Sequence, residues 1–205
     1  MLQQCLGIPH ISSGDMLRER IRAGAEKGSG VAATMEAGSL VADDVVNQMV
    51  LERLSEPDAA HGFVLDGYPR TRDQAGHLTA WFDTSAIREV VIHLAVDYNV
   101  VIARLTGRRQ CPRCGTLYNI VSQPPKEDEL CDLDGTKLIV RNDDREDVIR
   151  ERLDAYERQT RPVLDYFLSA GRRVVEVEAD NDPPERIYQK ICQALESHDC
   201  TQNRR

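Results

Sequence analysis

Several things are missing from this chain of 205 residues, and each absence narrows its reading. No stretch approaches the roughly 18 consecutive apolar residues of a membrane-crossing helix, and the first residues lack the basic and apolar regions of a signal peptide. The expectation is a cytoplasmic protein with no membrane partner. Positive charge is not in surplus either. A formal net charge of -8 and a pI near 5.2 argue against a broad basic footprint for nucleic acid, so any anion site must be local. Internal repeats and low-complexity tracts are absent. Six cysteines are present, but their placement does not suggest a disulfide framework: Cys5, Cys192 and Cys200 are scattered and read as reduced thiols, whereas Cys111, Cys114 and Cys131 crowd one segment. With 41% apolar and 29% charged residues, the chain reads as soluble and globular, one domain with an inserted subdomain.

What is present organises itself around Gly62-Phe63-Val64-Leu65-Asp66-Gly67-Tyr68-Pro69-Arg70-Thr71-Arg72. A short apolar run over 63–65 reads as a buried strand that ends in an acid, a glycine, a proline and an arginine. In open α/β sheets ligands sit beyond the carboxyl ends of the strands, so Asp66 and Arg70 stand where a charged ligand would arrive. A strand, a Gly-Pro turn and a solvated arginine is the plainer alternative. Before it lie a helix tail over 1–6 stopped by Gly7, an extended piece over 9–11, and a capped helix from Ser12 carrying Arg18, whose N-terminus suits an anion. Helices are expected over 31–37 and 43–55, with Val45, Met49 and Leu54 at helical spacing. After the stretch come a helix over 72–82, a second buried strand over 89–95 and a helix over 97–106 ending at Gly107. A long helix over 144–168, bent by Pro162, a strand over 174–177, a helix over 183–196 and a frayed polar tail complete the chain. Strand and helix alternate, which predicts a parallel sheet.

Residues 108–140 break that pattern. They are turn-rich, without helical period, and hold Cys111-x2-Cys114 and, sixteen residues on, Cys131-x2-Asp134. Paired knuckles of this spacing set four ligands around one tetrahedral centre, which predicts a structural zinc site; Asp132 lies close by, but the knuckle spacing and the following Gly135 favour Asp134. Three unligated thiols is the alternative. Arginines gather at element ends and insertion borders: Arg18, Arg70, Arg104, Arg108, Arg141, Arg150 and Arg152. Their forks suit phosphate oxygens, although a solvated face is the usual explanation for scattered arginines.

Taken together, these segments resemble the adenylate kinases of the long-lid bacterial type, over about residues 5–196. The AMP-site helix is matched by Gly7-Ile8-Pro9-His10-Ile11-Ser12-Ser13-Gly14-Asp15-Met16-Leu17-Arg18, the hallmark segment by Asp66 to Thr71 with Gln74, the lid entrance by Gly107-Arg108-Arg109, and the lid exit by Arg141-Asn142-Asp143-Asp144 with Arg150 and Arg152. The resemblance implies a parallel α/β sheet of the nucleoside monophosphate kinase type, with a core over 1–107 and 141–197, AMP-binding helices over about 12–41, a zinc-bearing lid over 108–140 and a tail over 198–205. It implies the reaction ATP + AMP = 2 ADP in adenine nucleotide homeostasis, in a monomer. Ser13 and Gln74 would meet the AMP base, Arg18 and Arg70 its phosphate, and the backbone of Ser39, Leu40 and Val41 its adenine pocket, with Gly67, Arg141 and Arg152 in the same set. Arg104, with Tyr118, would lie on the ATP side, while Arg108, Arg141 and Arg152 gather the transferring phosphates and Asp66 holds magnesium through water.

Two departures from the family pattern stand out. Ser13 replaces the usual threonine, keeping the hydroxyl but losing a methyl, which would loosen base selectivity. More severely, the family opens with a strand and a G-x-x-G-x-G-K-G-T loop whose amides cradle ATP phosphates; up to the start of the AMP helix the only glycines here are Gly7 and Gly14, and the first lysine is Lys27. The expectation is a chain that starts at an internal methionine, with little phosphoryl transfer of its own and with two strand edges facing a gap. A non-catalytic AMP-binding module and a zinc-stabilised interaction domain are the alternatives.

Overall fold

The computed structural model describes residues 1–25, 29–180 and 182–202. Helix α1 (Leu2–Leu6) stops at Gly7, whose φ of 66° lets its N–H turn back to Gln3 O. Strand β1 (His10–Ser12) leads straight into α2 (Ser13–Arg22), capped by Ser12 Oγ accepting from Asp15 N–H. Then come α3 (Val31–Glu36), α4 (Asp43–Leu54), β2 (Val64–Asp66) and α5 (Arg72–Thr84), the last capped by Thr71. Strand β3 (Val91–Ala95) and α6 (Tyr98–Thr106) precede the small antiparallel pair β4 (Arg108–Gln110) and β5 (Leu117–Asn119). Helices α7 (Glu146–Ala155) and α8 (Arg161–Ser169), strand β6 (Val174–Glu178) and α9 (Pro184–Gln202) finish the fold.

The parallel strands form two separate pairs. β1 lies beside β2 with Ser12 opposite Asp66, and β3 beside β6 with Val91 opposite Val174. Among the described residues no strand ladder joins β2 to β3, so the sheet divides at the expected gap. This corrects the expectation of two buried strands: Val64 and Leu65 are only half-buried, Asp66 is exposed and Leu94 is 45% exposed. Each strand has a ladder partner on one edge only, and its apolar side chains keep some access to solvent.

Helices, not ladder bonds, hold the two pairs together. Ala75 of α5 packs with Val163 and Phe167 of α8, and Val91 and Val174 lean on the same cluster. The largest core lies around β1 and β2, where Ile11, Leu17, Met49, Val50, Leu78 and Phe82 are buried and each large side chain contributes about 1.5 to 3 kcal/mol. A third cluster, Val175, Val177 and Ile191, covers β6 with α9.

Two further expectations are corrected. The long helix over 144–168 is not continuous: α7 and α8 are joined by a π-helical turn, Tyr156–Thr160. Pro162 has no N–H for the carbonyl four residues back and its ring crowds that carbonyl, so the backbone widens just before it. The polar tail is also shorter than expected, because α9 continues to Gln202; residues 203–205 lie outside the described residues.

Candidate functional site

Strands β1 and β2 end side by side, and the chain leaving them walls a cavity of about 320 Å³. Ser13 Oγ donates to Gly67 O at 2.7 Å, tying the start of α2 to the end of β2. Gly67 has a φ of 71°, and a Cβ there would lie 3.0 Å from Ser13 Oγ and 3.1 Å from the Arg70 guanidinium, so the tie needs glycine. Arg70 is held three ways. Its Nε donates to Gly67 O at 2.9 Å, its backbone N–H donates to Gln74 Oε1 at 2.7 Å, and its carbonyl accepts from Thr160 Oγ1 at 3.0 Å, on the π-helical turn. Gly38, with a φ of 77°, lets the end of α3 approach α7: a Cβ there would meet Val148 O at 2.8 Å. That approach brings Ser39, Leu40 and Val41 to the cavity wall.

The lid exit closes the other side. Arg141, 8% exposed, makes a two-pronged pair with Asp143 at 3.0 and 2.8 Å. Arg152 donates to Asp143 O at 2.9 Å and to Asp144 Oδ1 at 3.2 Å, and Arg108 Nε lies 3.5 Å from Asp144 Oδ2, which has no hydrogen-bond partner among the described residues. Five arginines, Arg18, Arg70, Arg108, Arg141 and Arg152, border the cavity with Asp15, Asp66 and Asp143, and Asp144 lies against Arg108 and Arg152, a local surplus of one positive charge in a chain of net charge -8. Burial lowers the Arg70 guanidinium from its ordinary value, and Arg152 and Arg18 add repulsion. Arg108 is likewise lowered by burial, with Arg141 and Arg152 adding repulsion against the opposing pull of Asp144. Like charges held this close in a half-buried cleft form a receptor for a multivalent anion.

Every residue expected to touch AMP borders this one cavity, as do Asp66 and Arg108. Arg150 does not belong with them: it points to solvent, 74% exposed, and pairs with Glu146 at 3.7 Å. Residues given no role from sequence brace the site, most of them from behind its wall. Asp143 and Asp144 order the arginines, Thr160 holds the Arg70 carbonyl, and Asp43 accepts from Gln74 Nε2 at 2.7 Å. Only the Arg141-Asn142-Asp143-Asp144 motif signalled any of these beforehand.

A second cavity, about 780 Å³, opens between the end of α6, β5 and the start of α9 and is bordered by Arg104, Arg108 and Tyr118. Arg104 donates to Ala179 O at 2.8 Å and Asp180 O at 2.7 Å, which lays its guanidinium along the loop after β6. Tyr118 turns its hydroxyl into the lid, accepting from Asp132 N–H at 2.8 Å and lying 3.5 Å from Cys131 Sγ. Leu117 and Tyr118 both border this cavity, Leu117 as an exposed side chain and Tyr118 packed with Cys111, Cys131 and Leu138 of the lid.

In the lid the donor atoms of Cys111, Cys114, Cys131 and Asp134 all lie within 4.8 Å of one another. Cys114 Sγ and Cys131 Sγ are 3.6 Å apart, close to the roughly 3.8 Å that tetrahedral zinc–sulfur bonds impose. The two knuckles have the same build. Gly115 N–H donates to Cys111 O and Gly135 N–H to Cys131 O, while Cys111 N–H donates to Thr116 O and Cys131 N–H to Thr136 O. Asp134 therefore stands where Cys114 stands in the first knuckle, whereas Asp132 is occupied as acceptor for Lys126 N–H at 2.8 Å. The hydrogen bond from Thr136 N–H holds the Asp134 carboxyl well below the usual carboxylate range. The donor set fits zinc. Cys5 and Cys192 are free thiols.

Parallel strands that empty into an arginine-walled cavity, under a four-ligand lid, define an α/β protein of the nucleoside monophosphate kinase class. Comparison with known proteins is more specific: the adenylate kinase family profile matches residues 1–172. The adenylate kinase of Thermotoga maritima is 46% identical over 172 residues, covering 83% of this chain and 78% of that protein. The adenylate kinase of Nitrosococcus oceani is 42% identical over 198 residues, covering 96% and 90% respectively. That of Oceanobacillus iheyensis is 45% identical over 176 residues. The chain belongs to the adenylate kinase family. Among the described residues no helix is long and apolar enough to cross a membrane.

Proposed function

We propose that this chain handles the two substrates of ATP + AMP = 2 ADP, as a cytoplasmic monomer, with AMP in the smaller cavity and ATP in the larger. The observation that carries this reading is the convergence of five arginines on one cavity beside Gln74 and Ser13. Arg18 and Arg70 take the AMP phosphate. Gln74 meets the base, and Ser13 stands beside it with its hydroxyl proton already given to Gly67 O. Ser39, Leu40, Val41 and Gly67 complete the pocket wall. Arg108, Arg141 and Arg152 draw together the phosphoryl group in transfer, whose charge spreads over its oxygens, and Asp143 and Asp144 hold these arginines in place beforehand. Arg104 and the ring of Tyr118 flank the ATP base. Asp66, an exposed carboxylate 3.3 Å from His10 Nε2, is suited to hold magnesium through water, and magnesium would supply neutralisation of phosphate charge. Zinc supplies a closed structural knot in the lid, whose closure over ATP keeps water from intercepting the phosphoryl group.

The 205 residues hold no G-x-x-G-x-G-K-G-T segment. Tested by itself, the chain is therefore expected to bind AMP in titration calorimetry yet form ADP slowly or not at all in a coupled assay. Robust turnover would refute this account of the donor side, and a folded chain that ignores AMP would refute the assignment of the cavity. A second reading, a non-catalytic AMP-binding module, is favoured by the lack of that segment in a chain that still assembles the smaller cavity; a loop-bearing segment joined before Met1 that fails to raise turnover would select it.

A further inference from the structure

A side-chain network beneath the smaller cavity ties Asp43 and Thr71, which border no ligand space, to Gln74 and Arg70. Asp43, at the start of α4, accepts from Gln74 Nε2 at 2.7 Å with one carboxylate oxygen and from Thr71 Oγ1 at 2.8 Å with the other. Gln74 Oε1 accepts from Arg70 N–H at 2.7 Å, and Thr71 Oγ1 accepts from Gln74 N–H at 3.1 Å. Gln74 is 2% exposed. Each direction in this network is forced, because a backbone N–H can only donate and a carboxylate can only accept. Turning the amide over would set its oxygen against the carboxylate and its NH2 against the Arg70 N–H. Both contacts would be repulsive, and in a buried place unmade hydrogen bonds cost most.

An amide held one way round can read a purine edge. One N–H and one lone pair remain on Gln74, which borders the cavity. Adenine offers an amino donor at position 6 and an acceptor at N1; hypoxanthine and guanine offer a carbonyl acceptor and an N–H donor, the reverse order. A freely turning glutamine serves both orders, and a fixed one serves a single order. We infer that Asp43 is a specificity-determining residue, which with the Arg70 N–H fixes the Gln74 amide and so makes the cavity favour 6-amino over 6-oxo purine monophosphates. Asp43 does not itself border the cavity and acts through Gln74 as a positioning residue. This deepens the reading of the cavity as an AMP site and rests on it.

The test is calorimetric titration of the chain and of Asp43→Ala, which removes the acceptor, with AMP, IMP and ribose 5-phosphate. The unsubstituted chain should prefer AMP over IMP by at least about tenfold, and Asp43→Ala should narrow that ratio by about tenfold while ribose 5-phosphate, held by the arginines, stays within about twofold. A ratio that survives the substitution, a uniform loss for all three ligands, or no preference in the unsubstituted chain would each overturn the inference while leaving AMP binding intact. Failure of AMP and ribose 5-phosphate to bind the folded, unsubstituted chain would overturn the cavity assignment and the inference with it. A readout without any variant is the exchange of the Gln74 side-chain amide protons by NMR. They should exchange slowly with solvent, and fast exchange would overturn the fixed amide.

Discussion

The two cavities differ more in how their walls are held than in size. In the smaller one the walls hold each other: Ser13 on Gly67, Arg70 on Gly67, Gln74 and Thr160, Arg141 on Asp143. In the larger one the polar ends are turned elsewhere, Arg104 along the loop after β6 and Tyr118 into the cysteine cluster. The polar wall of the smaller cavity is therefore held by its own contacts, although both cavities share Arg108 and Leu117 of the lid. Preorganisation lowers the ordering cost of binding, so the smaller cavity should recognise its ligand without help from the larger.

The strongest way to break that contrast is through the lid. About one zinc per chain is expected from elemental analysis, and structural zinc is worth roughly 10 to 16 kcal/mol in small domains, so Cys131→Ser should lose the metal and the near-ultraviolet dichroism of Tyr118. The thermal transition of the core should remain; a metal-free lid as stable as the original would refute the ligand set. A smaller effect separates the cavities directly. Arg70→Ala should weaken AMP by about 10- to 100-fold, the worth of one charge-assisted contact set, whereas Arg104→Ala should leave it within about twofold. Equal losses in calorimetry would mean that the two cavities act as one. The smallest effect concerns acid. Burial pulls the Asp143 carboxyl upward, but the Arg141 hydrogen bond and the charges of Arg141, Arg152 and Arg18 hold it below its ordinary value. A depressed folded value gives stability that is present above about pH 4 and is lost as the pH falls through the folded value. Asp143→Asn should flatten the acid limb of urea midpoints against pH, and an unchanged limb would refute the pairing. Asp144, pushed up by burial against the pull of Arg108, works in the opposite sense, so the substitution belongs at 143 alone.

The order of elements was readable because caps and periodicity act locally: Ser12 and Thr71 start helices through bonds three residues away. The clustering of Cys111, Cys114, Cys131 and Asp134 was readable for the same reason, since each knuckle closes within a few residues. What sequence could not give depends on distance or direction. Asp43 reaches Gln74 across 31 positions, and an acid in the first turn of a helix already has an ordinary role at the helix dipole. Arg150 and Arg152 look alike in sequence, yet two positions along a helix turn one to solvent and the other into the site. β4 and β5, at three residues each, are too short to show alternation. The π-helical turn answers a proline that sequence could only mark as a bend.

The arginine surplus also bears on the rate of encounter. A nucleotide approaching from afar meets a chain of net charge -8 and is repelled, and only within the cleft does it feel the local excess of arginine charge. At roughly 0.15 M salt the screening length is about 8 Å, short enough to mute the distant acids but not a contact inside the cavity. Added salt should therefore first quicken AMP association and only later weaken the complex, so capture is fastest at an intermediate ionic strength.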